Sequence, residues 1–382
     1  MEFLFLFGRN PKLSYIELLS YLRAREINFK VSCFYEKATI LDLPQQVNLD
    51  EILAGLGGTV KVAKVLFWCD ENSIGKNLED ACLYEGNSNK IVYSVETIGA
   101  SPSVRSYFQE NFKKQGIKAL HKDIAPHTLA KSSKELLSFV VLKAGPLFYV
   151  ARAIKSFDPH SFKERDVSRP YIEPEVMSSI RLSRILVNLA GVRSKAKMLD
   201  PFCGIGTVLQ EALLLGFEVY GIDLSRDRIQ KASENLKWVE RTYGVSGSWT
   251  VRQGDAKKLS QYFPEHYFDF IATEPELGPL IKKAPSDKEA EQTIKDLQKL
   301  YEKFFVEASK VLKPRGRISV VIPRIRAKST KTYRIDIDSI LQRSGFKIYN
   351  PTSGCGFEAK VPVFYKEQWH KIERLIYILE KM

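Results

Sequence analysis

The sequence predicts an α/β protein in which a doubly wound parallel sheet occupies the C-terminal half and an α+β region precedes it. From residue 197 onwards, short apolar strands alternate with helices, which is the pattern of a parallel sheet with helical crossovers. Before residue 155, pairs of apolar strands are interspersed with single helices. Residues 156–170 lack a sustained periodicity and are interpreted as a linker. A chain of 382 residues fits two or three domains.

The composition excludes several classes of protein. Hydrophobic residues make up 44% and charged residues 27% of the chain, which is typical of globular domains and excludes disorder as the main description. Five cysteines without a CxxC pair and five histidines predict neither a disulfide framework nor a metal site. No apolar run reaches the roughly 18 residues of a membrane span, and the start, MEFLFLFGRN, lacks the basic region of a signal peptide. We therefore expect a cytoplasmic protein with no membrane partner.

The positive charge is concentrated in two blocks of the sequence. The chain carries a formal net charge of +13. Residues 101–170 hold 13 basic and 6 acidic residues, and residues 301–350 hold 12 basic and 4 acidic residues. Two separated basic blocks predict a polyanion, such as a nucleic acid, that contacts two parts of the molecule. The alternative is a basic surface that is merely solvated.

The first half is predicted to contain two α+β units. In residues 1–70, the elements follow the β-α-β-β-α-β order of ferredoxin-like folds. Those elements are strands 3–8, 28–36, 37–43 and 61–69 and helices 11–26 and 48–58. In residues 71–155, we predict a strand over 90–99, a helix over 103–116 and a strand pair over 136–154.

The second half is predicted to form the doubly wound sheet. The predicted strands are 197–200, 217–223, 248–255, 268–275, 317–323, 346–351 and 373–381, and the predicted helices are 206–216, 225–242, 287–312 and 337–345. In such a sheet, ligands bind at the carboxyl ends of the strands. Polar residues at those ends are therefore the candidate functional residues.

A glycine-rich turn follows the first of these strands. It reads Asp200-Pro201-Phe202-Cys203-Gly204-Ile205-Gly206-Thr207 and leads into the helix 206–216. Gly204 and Gly206 permit a tight turn whose backbone N–H groups can approach a ligand. No third glycine stands at the spacing of a dinucleotide fingerprint. Asp200, at the end of the strand, suits a ligand that carries an amine.

Acidic residues also end the next two predicted strands. Asp223 lies where a carboxylate binds ribose hydroxyls, and Asp255, followed by Ala256, could accept a bond from an adenine amino group. Together with Asp200, these acids suit S-adenosylmethionine, whose amine and sulfonium are positively charged. Taken alone, Asp223 or Asp255 could equally be a helix cap or a turn residue.

Longer motifs resemble a known family. DPFCGIGTVLQEA (200–212) and GIDLSRDRIQKASENL (221–236) resemble class I methyltransferases that modify exocyclic amines of RNA. RPYIEPEVMSSIRLSRILVNLAG (169–191) and RLIYILEK (374–381) resemble segments of the THUMP-domain tRNA (guanosine-10 N2)-methyltransferases of archaea and eukaryotes.

This resemblance is closest over residues 165–260. It implies a Rossmann-like class I methyltransferase domain over 171–382, preceded by a ferredoxin-like domain over 1–70 and a THUMP domain over 71–155. It also implies methyl transfer from S-adenosylmethionine to N2 of a guanosine in tRNA, and a small activating protein subunit as a possible further partner.

The resemblance also implies a set of cofactor-binding residues. Three of them, Tyr171, Pro174 and Met177, would close over the methionine end of the cofactor. The full set is Tyr171, Pro174, Met177, Asp200, Phe202, Gly204, Gly206, Thr207, Asp223, Asp255 and Ala256.

The catalytic loop departs from the family's (D/N)PP(Y/F)G motif, because this chain reads Thr273-Glu274-Pro275-Glu276-Leu277-Gly278. In this chemistry, a side-chain oxygen and a proline carbonyl accept the N–H bonds of the target amine and direct its lone pair. Glu274 and Pro275 keep those acceptors and are the candidate catalytic residues. Leu277 replaces the aromatic residue that stacks on the base. Three interpretations of this loop stay open: an altered but active amine methyltransferase, a nucleotide-binding relative with changed chemistry, and a plain turn. For the whole protein, the alternatives are an RNA-binding scaffold or subunit and a DNA or protein amine methyltransferase.

The basic blocks supply candidate RNA-binding residues. In THUMP domains, basic helices and loops hold the acceptor end of tRNA through its phosphates and shape. The second block has a particularly basic stretch, residues 313–334, that contains no acidic residue. The candidates are Lys113, Lys114, Lys118, Lys131, Arg324, Arg326 and Lys328. The alternative for the first block is a solvated amphipathic helix.

Overall fold

The computed structural model describes residues 1–123, 136–173, 179–193, 195–245, 247–279, 283–365 and 372–382. The chain divides into two compact units. Unit 1 comprises Met1–Leu18, Glu26–Pro159 and Gly354–Glu358, and unit 2 comprises Leu19–Arg25, His160–Ser353 and Ala359–Met382. The main boundary, at Pro159, falls within the predicted linker.

An eight-stranded sheet forms the centre of unit 1. Its strands are β1 (Glu2–Phe7), β2 (Lys30–Tyr35), β3 (Ala38–Asp42), β4 (Thr59–Asp70), β5 (Lys90–Ile98), β6 (Lys118–His121), β7 (Leu136–Ala144) and β8 (Leu147–Ser156). The helices of this part of the chain are α1 (Pro11–Ala24), α2 (Leu49–Gly55), α3 (Ile74–Asp80) and α4 (Arg105–Lys114). The strand order is β2-β3-β1-β4-β8-β7-β5-β6.

The ferredoxin-like order predicted for the start of the chain is confirmed. Strands β2, β3, β1 and β4 are neighbours in that order, and each adjacent pair is antiparallel. The sheet then continues, because β4 also pairs with β8. The division into two domains at residue 70 therefore stays a prediction. Helix α3 and strand β6 were not predicted from the sequence.

Unit 2 contains a mixed sheet with helices. Its helices are α5 (Pro159–Val167), α6 (Ile180–Leu189), α7 (Thr207–Leu214), α8 (Arg226–Tyr243), α9 (Asp287–Val311) and α10 (Ile337–Ser344). Its strands are β9 (Lys197–Asp200), β10 (Glu218–Asp223), β11 (Trp249–Gln253), β12 (Phe268–Thr273), β13 (Leu312–Arg326), β14 (Thr332–Arg334), β15 (Phe346–Ile348), β16 (Val363–Tyr365) and β17 (Glu373–Lys381). A short 3-10 helix spans Ala256–Gln261.

The strand order of unit 2 places its ligand site. The order is β11-β10-β9-β12-β13-β17-β15, and the first five strands are parallel, as predicted. Strand β17 runs antiparallel to β13. The order reverses between β9 and β12, and ligands of such sheets bind in the crevice at that point. The carboxyl ends of β9 and β12 are therefore the expected ligand-binding site.

Local sequence signals fix several element ends. Ser225 caps α8 by accepting from the Arg228 amide at 3.3 Å, and Ser286 and Glu289 form a capping box at the start of α9. Helix α5 is a correction to the predicted linker, which was expected to lack regular structure. Its buried face includes Arg165, and a charged residue on a buried face hides the apolar periodicity that predicts a helix.

Aromatic side chains of α9 hold the sheet of unit 2 in place. Tyr301, Phe304 and Phe305 are fully buried and pack in one cluster with Ile271 of β12 and Ile318 of β13.

Among the described residues, no helix is long and apolar enough to cross a membrane.

Candidate active site

The glycine turn of unit 2 has the backbone that its sequence predicts. Gly204 and Gly206 both adopt left-handed conformations, with φ of 52° and 87°, which favour glycine. Gly206 is the N-cap of α7. A Cβ atom at Gly206 would lie 3.4 Å from Ala232 Cβ, whereas one at Gly204 would meet no atom of the described residues within 4 Å. The turn is thus packed against α8 at Gly206, while none of the described residues crowds Gly204.

Asp223, at the end of β10, is bonded to this turn. One carboxylate oxygen accepts from the Gly204 amide at 3.0 Å, and the other accepts from the Ser225 amide at 2.9 Å. The sequence places Asp223 and Gly204 at the ends of adjacent strands, and the structure brings them into direct contact. Each oxygen keeps a further lone pair that a ligand hydroxyl could use.

Asp200, at the end of β9, is a buried carboxyl group with 2% of its surface exposed. Its Oδ1 atom accepts from Thr273 Oγ1 at 2.6 Å and from the Phe202 amide at 3.2 Å. Burial raises the pKa of Asp200 to about 7, and the nearby negative charges of Asp223 and Glu274 act in the same direction. Thr273 was not singled out from the sequence. Its position directly before the candidate catalytic residue Glu274 is the feature of the sequence that could have indicated it.

Glu274, the candidate catalytic acceptor, is ion-paired. Arg374 of β17 donates from Nε to Glu274 Oε1 at 2.6 Å, and both side chains are largely buried. Pro275 is buried, while the side chain of Glu276 is exposed and its carbonyl accepts from Tyr301 Oη at 3.1 Å. Arg374 was not recognised from the sequence, although a lone arginine in an apolar last strand is an unusual feature.

Asn235, a buried residue of α8, ties a second segment to the glycine turn. Its amide nitrogen donates to the carbonyls of Ile205, at 3.0 Å, and Tyr171, at 3.1 Å, and its oxygen accepts from the Tyr171 amide at 3.0 Å. The structure therefore brings Tyr171 to the turn, with 41% of its surface exposed. Sequence reasoning missed Asn235. Pro174 and Met177 lie outside the described residues.

A buried charge cluster supports the helix that follows the turn. Glu211 of α7 accepts from Arg165 of α5 at 2.6 Å and from Arg184 of α6 at 2.7 Å. Thr207, the first residue of α7, accepts from Arg169 Nη1 at 3.1 Å. Burial lowers the pKa of Arg169. Helices α5, α6 and α7 are thus joined by arginine contacts at the base of the turn.

Asp255 and Phe202 have structural roles. Asp255 caps the 3-10 helix by accepting from the Lys257 amide at 3.0 Å, as the alternative interpretation of this residue expects. Ala256, which follows it, is buried. The ring of Phe202 meets Phe304 edge-on, with centroids 5.2 Å apart, so it packs against the core of unit 2. Cofactor contacts of these residues stay predictions.

The predicted RNA-binding residues divide into exposed and paired ones. Lys113 and Lys118 of unit 1 are exposed, while Lys114 is paired with Glu79. Lys131 lies outside the described residues. In unit 2, Arg326 and Lys328 are exposed, and Arg324 donates to Glu373 at 2.7 Å. Within the described part of the chain, no group of histidine, cysteine and acidic residues could hold a metal ion.

The strand order of unit 2 and its glycine turn define the fold of the class I methyltransferases. Residues 168–333 match the family model described as UPF0020, the RMKL-like methyltransferase domain. The match confirms the resemblance inferred from the motif DPFCGIGTVLQEA, which lies within it.

Archaeal tRNA-modifying enzymes are similar to this chain in sequence. The tRNA (guanine(10)-N2)-dimethyltransferase of Pyrococcus abyssi is 29% identical over 244 residues, which cover 64% of this chain and 62% of that protein. The enzyme of the same name from Methanothermobacter thermautotrophicus is 32% identical over 177 residues, which cover 46% of this chain and 47% of that protein. Both alignments span less than two thirds of the relatives' own length.

Solved structures share the fold over the whole chain. TrmN from Thermus thermophilus matches 100% of this chain and 100% of its own, with a TM-score of 0.57 and 20% identity. SMU.472, solved in complex with SAH, matches 100% of this chain and 98% of its own, with a TM-score of 0.51 and 10% identity. At these identities, the similarity shows a common fold.

Proposed function

We propose that this protein transfers a methyl group from S-adenosylmethionine to N2 of a guanosine in tRNA. The observation that carries the proposal is the hydrogen bond of Thr273 to Asp200. It joins the ends of β9 and β12, so that a carboxyl group suited to the cofactor's amine lies beside the candidate amine acceptor, Glu274. The names of the archaeal relatives support tRNA and guanine N2 as the target.

The residues around the glycine turn fit S-adenosylmethionine. None of the described residues crowds Gly204, so a ligand could lie against the backbone there. Asp200 would hold the positively charged amine, and Asp223 would accept bonds from the ribose hydroxyls. Asp255 would accept from the adenine amino group, in addition to capping its helix. The remaining contacts would come from Tyr171, Pro174, Met177, Phe202, Gly206, Thr207 and Ala256.

The protein's own part in the reaction is to position and polarise the target amine. When bound, S-adenosylmethionine would supply the methyl group and keep the S–C electron pair. The target nitrogen would form the new N–C bond with its lone pair and pass one proton to the Glu274 carboxylate that accepts its N–H bond. The Glu274 carboxylate and the Pro275 carbonyl would accept the two N–H bonds of the amine. Both acceptors stabilise the positive charge that develops on nitrogen.

Radiolabelled methyl transfer to unmodified tRNA tests this function, with mass spectrometry of the nucleosides to identify N2-methylguanosine. We expect transfer by the wild-type protein. The second candidate function, an RNA-binding scaffold, rests on Glu276 and Leu277 standing where the family has proline and an aromatic residue. Tight tRNA binding without transfer, alone or with a cell extract that supplies a partner, would favour the scaffold.

The buried carboxyl of Asp200 predicts a pH dependence of cofactor affinity. Because its pKa is raised to about 7, the group is partly protonated at neutral pH, and a cationic amine binds better to the ionised form. The dissociation constant of S-adenosylmethionine should therefore fall as pH rises, by about tenfold per unit below pH 7. Calorimetry in two buffers with different ionisation enthalpies would measure the affinity and the proton released. A pH-independent affinity would contradict the assignment, and Asp200→Asn should bind weakly at every pH.

A basic hairpin, residues 324–334, is the RNA-binding surface that we propose in unit 2. Strand β14 pairs with the end of β13, with Arg334 opposite Arg324. The hairpin is tied to the start of α9, because Asp287 accepts from Ser329 Oγ at 2.7 Å and from Tyr333 Oη at 2.8 Å. The tip therefore has a fixed position from which exposed cations can contact phosphates.

An exposed aromatic ring lies beside the basic hairpin. Phe364 of β16 has 43% of its surface exposed, and the Arg324 guanidinium lies 4.8 Å from its ring centroid. Aromatic rings flanked by cations are a common platform for unpaired bases. Phe364 could supply the stacking that Leu277, in the catalytic loop, does not.

The double variant Arg326→Gln/Lys328→Gln should weaken tRNA binding and reduce its salt dependence. Each lost phosphate contact lowers the slope of log affinity against log salt by about 0.7–0.9. The matched control is Lys295→Gln/Lys299→Gln, which removes two exposed lysines from α9. Filter-binding titrations at several salt concentrations would measure both slopes. Equal salt slopes in the two variants would show that the hairpin does not contact RNA. The variant Lys113→Gln/Lys118→Gln tests unit 1 in the same way.

We further propose that residues 71–155 act as the THUMP domain, and that the protein works in the cytoplasm on tRNA. The basic residues of α4 and β6 support an RNA-binding role for this region. Purification of the protein from its source, followed by assay with and without co-purifying chains, would test whether a small activating subunit takes part.

A further inference from the structure

We infer that Arg374 is a positioning residue for methyl transfer, which holds the Glu274 carboxylate ionised and in one orientation. The inference rests on the proposed function and deepens it. It concerns how a glutamate can occupy a loop position where the resembling family has aspartate or asparagine.

The register of the sheet places Arg374 near the loop that follows β12. Arg374 lies on β17, opposite Pro323 of β13 in the antiparallel register. Strand β13 lies between β17 and β12. The Arg374 side chain therefore reaches past β13 to the residue that follows β12. Its Nε atom lies 2.6 Å from Glu274 Oε1, and the two side chains are 4% and 11% exposed.

The charges around Glu274 decide what the ion pair with Arg374 does. Burial disfavours the ionised form of a carboxyl group, and a neighbouring negative charge does the same. The groups that interact with Glu274 include Asp200 at the end of β9, Tyr301 on α9 and Arg374 on β17, and Glu276 follows two positions later in the same loop. Asp200 and Glu276 carry carboxyl groups and Tyr301 is a neutral phenol, whereas a guanidinium keeps its positive charge at every relevant pH. Arg374 thus offsets the factors that would protonate Glu274.

The ion pair keeps Glu274 in the form that the methyl transfer needs. A protonated carboxyl group has lost part of its acceptor capacity and its negative charge, so it stabilises a developing cation less well. Glutamate also has one more rotatable bond than aspartate. A charge-assisted bond from a buried arginine restricts that freedom. Arg374 therefore supplies both conditions that the longer side chain needs.

The experiment compares pH profiles of methyl transfer to unmodified tRNA for wild type, Arg374→Met, Arg374→Gln and Arg374→Lys. In the Met and Gln variants, kcat near neutral pH should fall by about 10²-fold, as for loss of a preorganised electrostatic contact. The acid limb of the profile should move up by at least ~1 pH unit, as for loss of an adjacent positive charge. KM for tRNA and cofactor should stay within about threefold, since the effect lies in the transition state. Arg374→Lys restores a charge and should recover much of the rate.

The matched control is Glu380→Gln. It breaks a second arginine–glutamate pair between β13 and β17, in which Arg317 donates to Glu380 at 3.2 Å. This variant should keep the wild-type profile. Cofactor binding and thermal unfolding would verify that each variant is folded. Because Arg374→Gln keeps an N–H donor at the position of Nε, it serves if Arg374→Met does not fold.

Each outcome decides the inference. A raised acid limb in Arg374→Met or Arg374→Gln, rescued by Arg374→Lys, supports it. An unchanged pH profile of kcat overturns the positioning role and leaves the proposed function standing. A loss of kcat that is equal at every pH and also occurs in Glu380→Gln has the same consequence. A wild-type protein that transfers no methyl group to tRNA overturns the proposed function and this inference with it.

Discussion

Glu274→Ala is expected to slow methyl transfer to tRNA by about 10²–10³-fold, the usual cost of removing a preorganised charge contact. The carboxylate acts chiefly where the amine becomes positive, so the loss should appear in kcat and leave ground-state binding nearly intact. Single-turnover transfer of a radiolabelled methyl group would measure the rate. Calorimetry with S-adenosylmethionine and filter binding with tRNA would measure the two affinities.

Glu276→Ala is the matched control for Glu274→Ala. Both carboxylates belong to the same loop, but the Glu276 side chain is exposed and stands where the family has a proline. Its loss should have a smaller effect on the rate, and the removal of a negative charge could strengthen RNA binding. An active wild type with an equally active Glu274→Ala variant would show that the catalytic loop lies elsewhere.

Glu211→Gln is expected to lower the free energy of unfolding by about 3–5 kcal/mol, because removal of one partner leaves buried charges uncompensated. Glu211 is fully buried and bonded to both Arg165 and Arg184, which come from different helices. Since α7 begins at the glycine turn, the affinity for S-adenosylmethionine should fall as well. Urea denaturation and calorimetry would measure the two effects.

Glu291→Gln provides the comparison on α9. Glu291 lies 3.0 Å from Lys295, and both side chains are more than half exposed. Exposed pairs of this kind contribute about 0.3–0.5 kcal/mol. A similar small change for Glu211→Gln would mean that the buried cluster does not stabilise unit 2.

Features that depend on neighbouring residues could be predicted from the sequence. The glycine turn is such a feature, because Gly204 and Gly206 stand between a short apolar strand and a helix. Asp223 could be placed beside the turn because adjacent parallel strands end at the same edge. Strands 197–200 and 373–381 were predicted with the ends that the structure has. In each of these cases, local periodicity or the topology of a parallel sheet is sufficient to predict the feature from the sequence.

Features that depend on distant partners could not be predicted. Arg374 and Glu274 are 100 residues apart, and only the antiparallel insertion of β17 brings them together. In the sequence, Asn235 cannot be distinguished from an ordinary polar residue of a helix. Only its three hydrogen bonds in the structure show its role. Helix α5 was missed because Arg165 is buried against Glu211, so a charged residue takes the place of an apolar one. Buried polar contacts leave no periodic signal in the sequence.

Unit 1 is completed late in protein synthesis, because it includes Gly354–Glu358 although the rest of it ends at Pro159. Phe357 stacks on Phe34 with ring centroids 4.3 Å apart, and Tyr15 donates to its carbonyl at 2.9 Å. On the ribosome, the aromatic layer over Phe34 must wait for about 200 further residues, or ~10–40 s at ordinary elongation rates. A nascent chain stalled before residue 354 would expose Phe34 and become a target for chaperones. The N-terminal unit of this protein thus depends for its maturation on residues that are synthesised about 200 positions later.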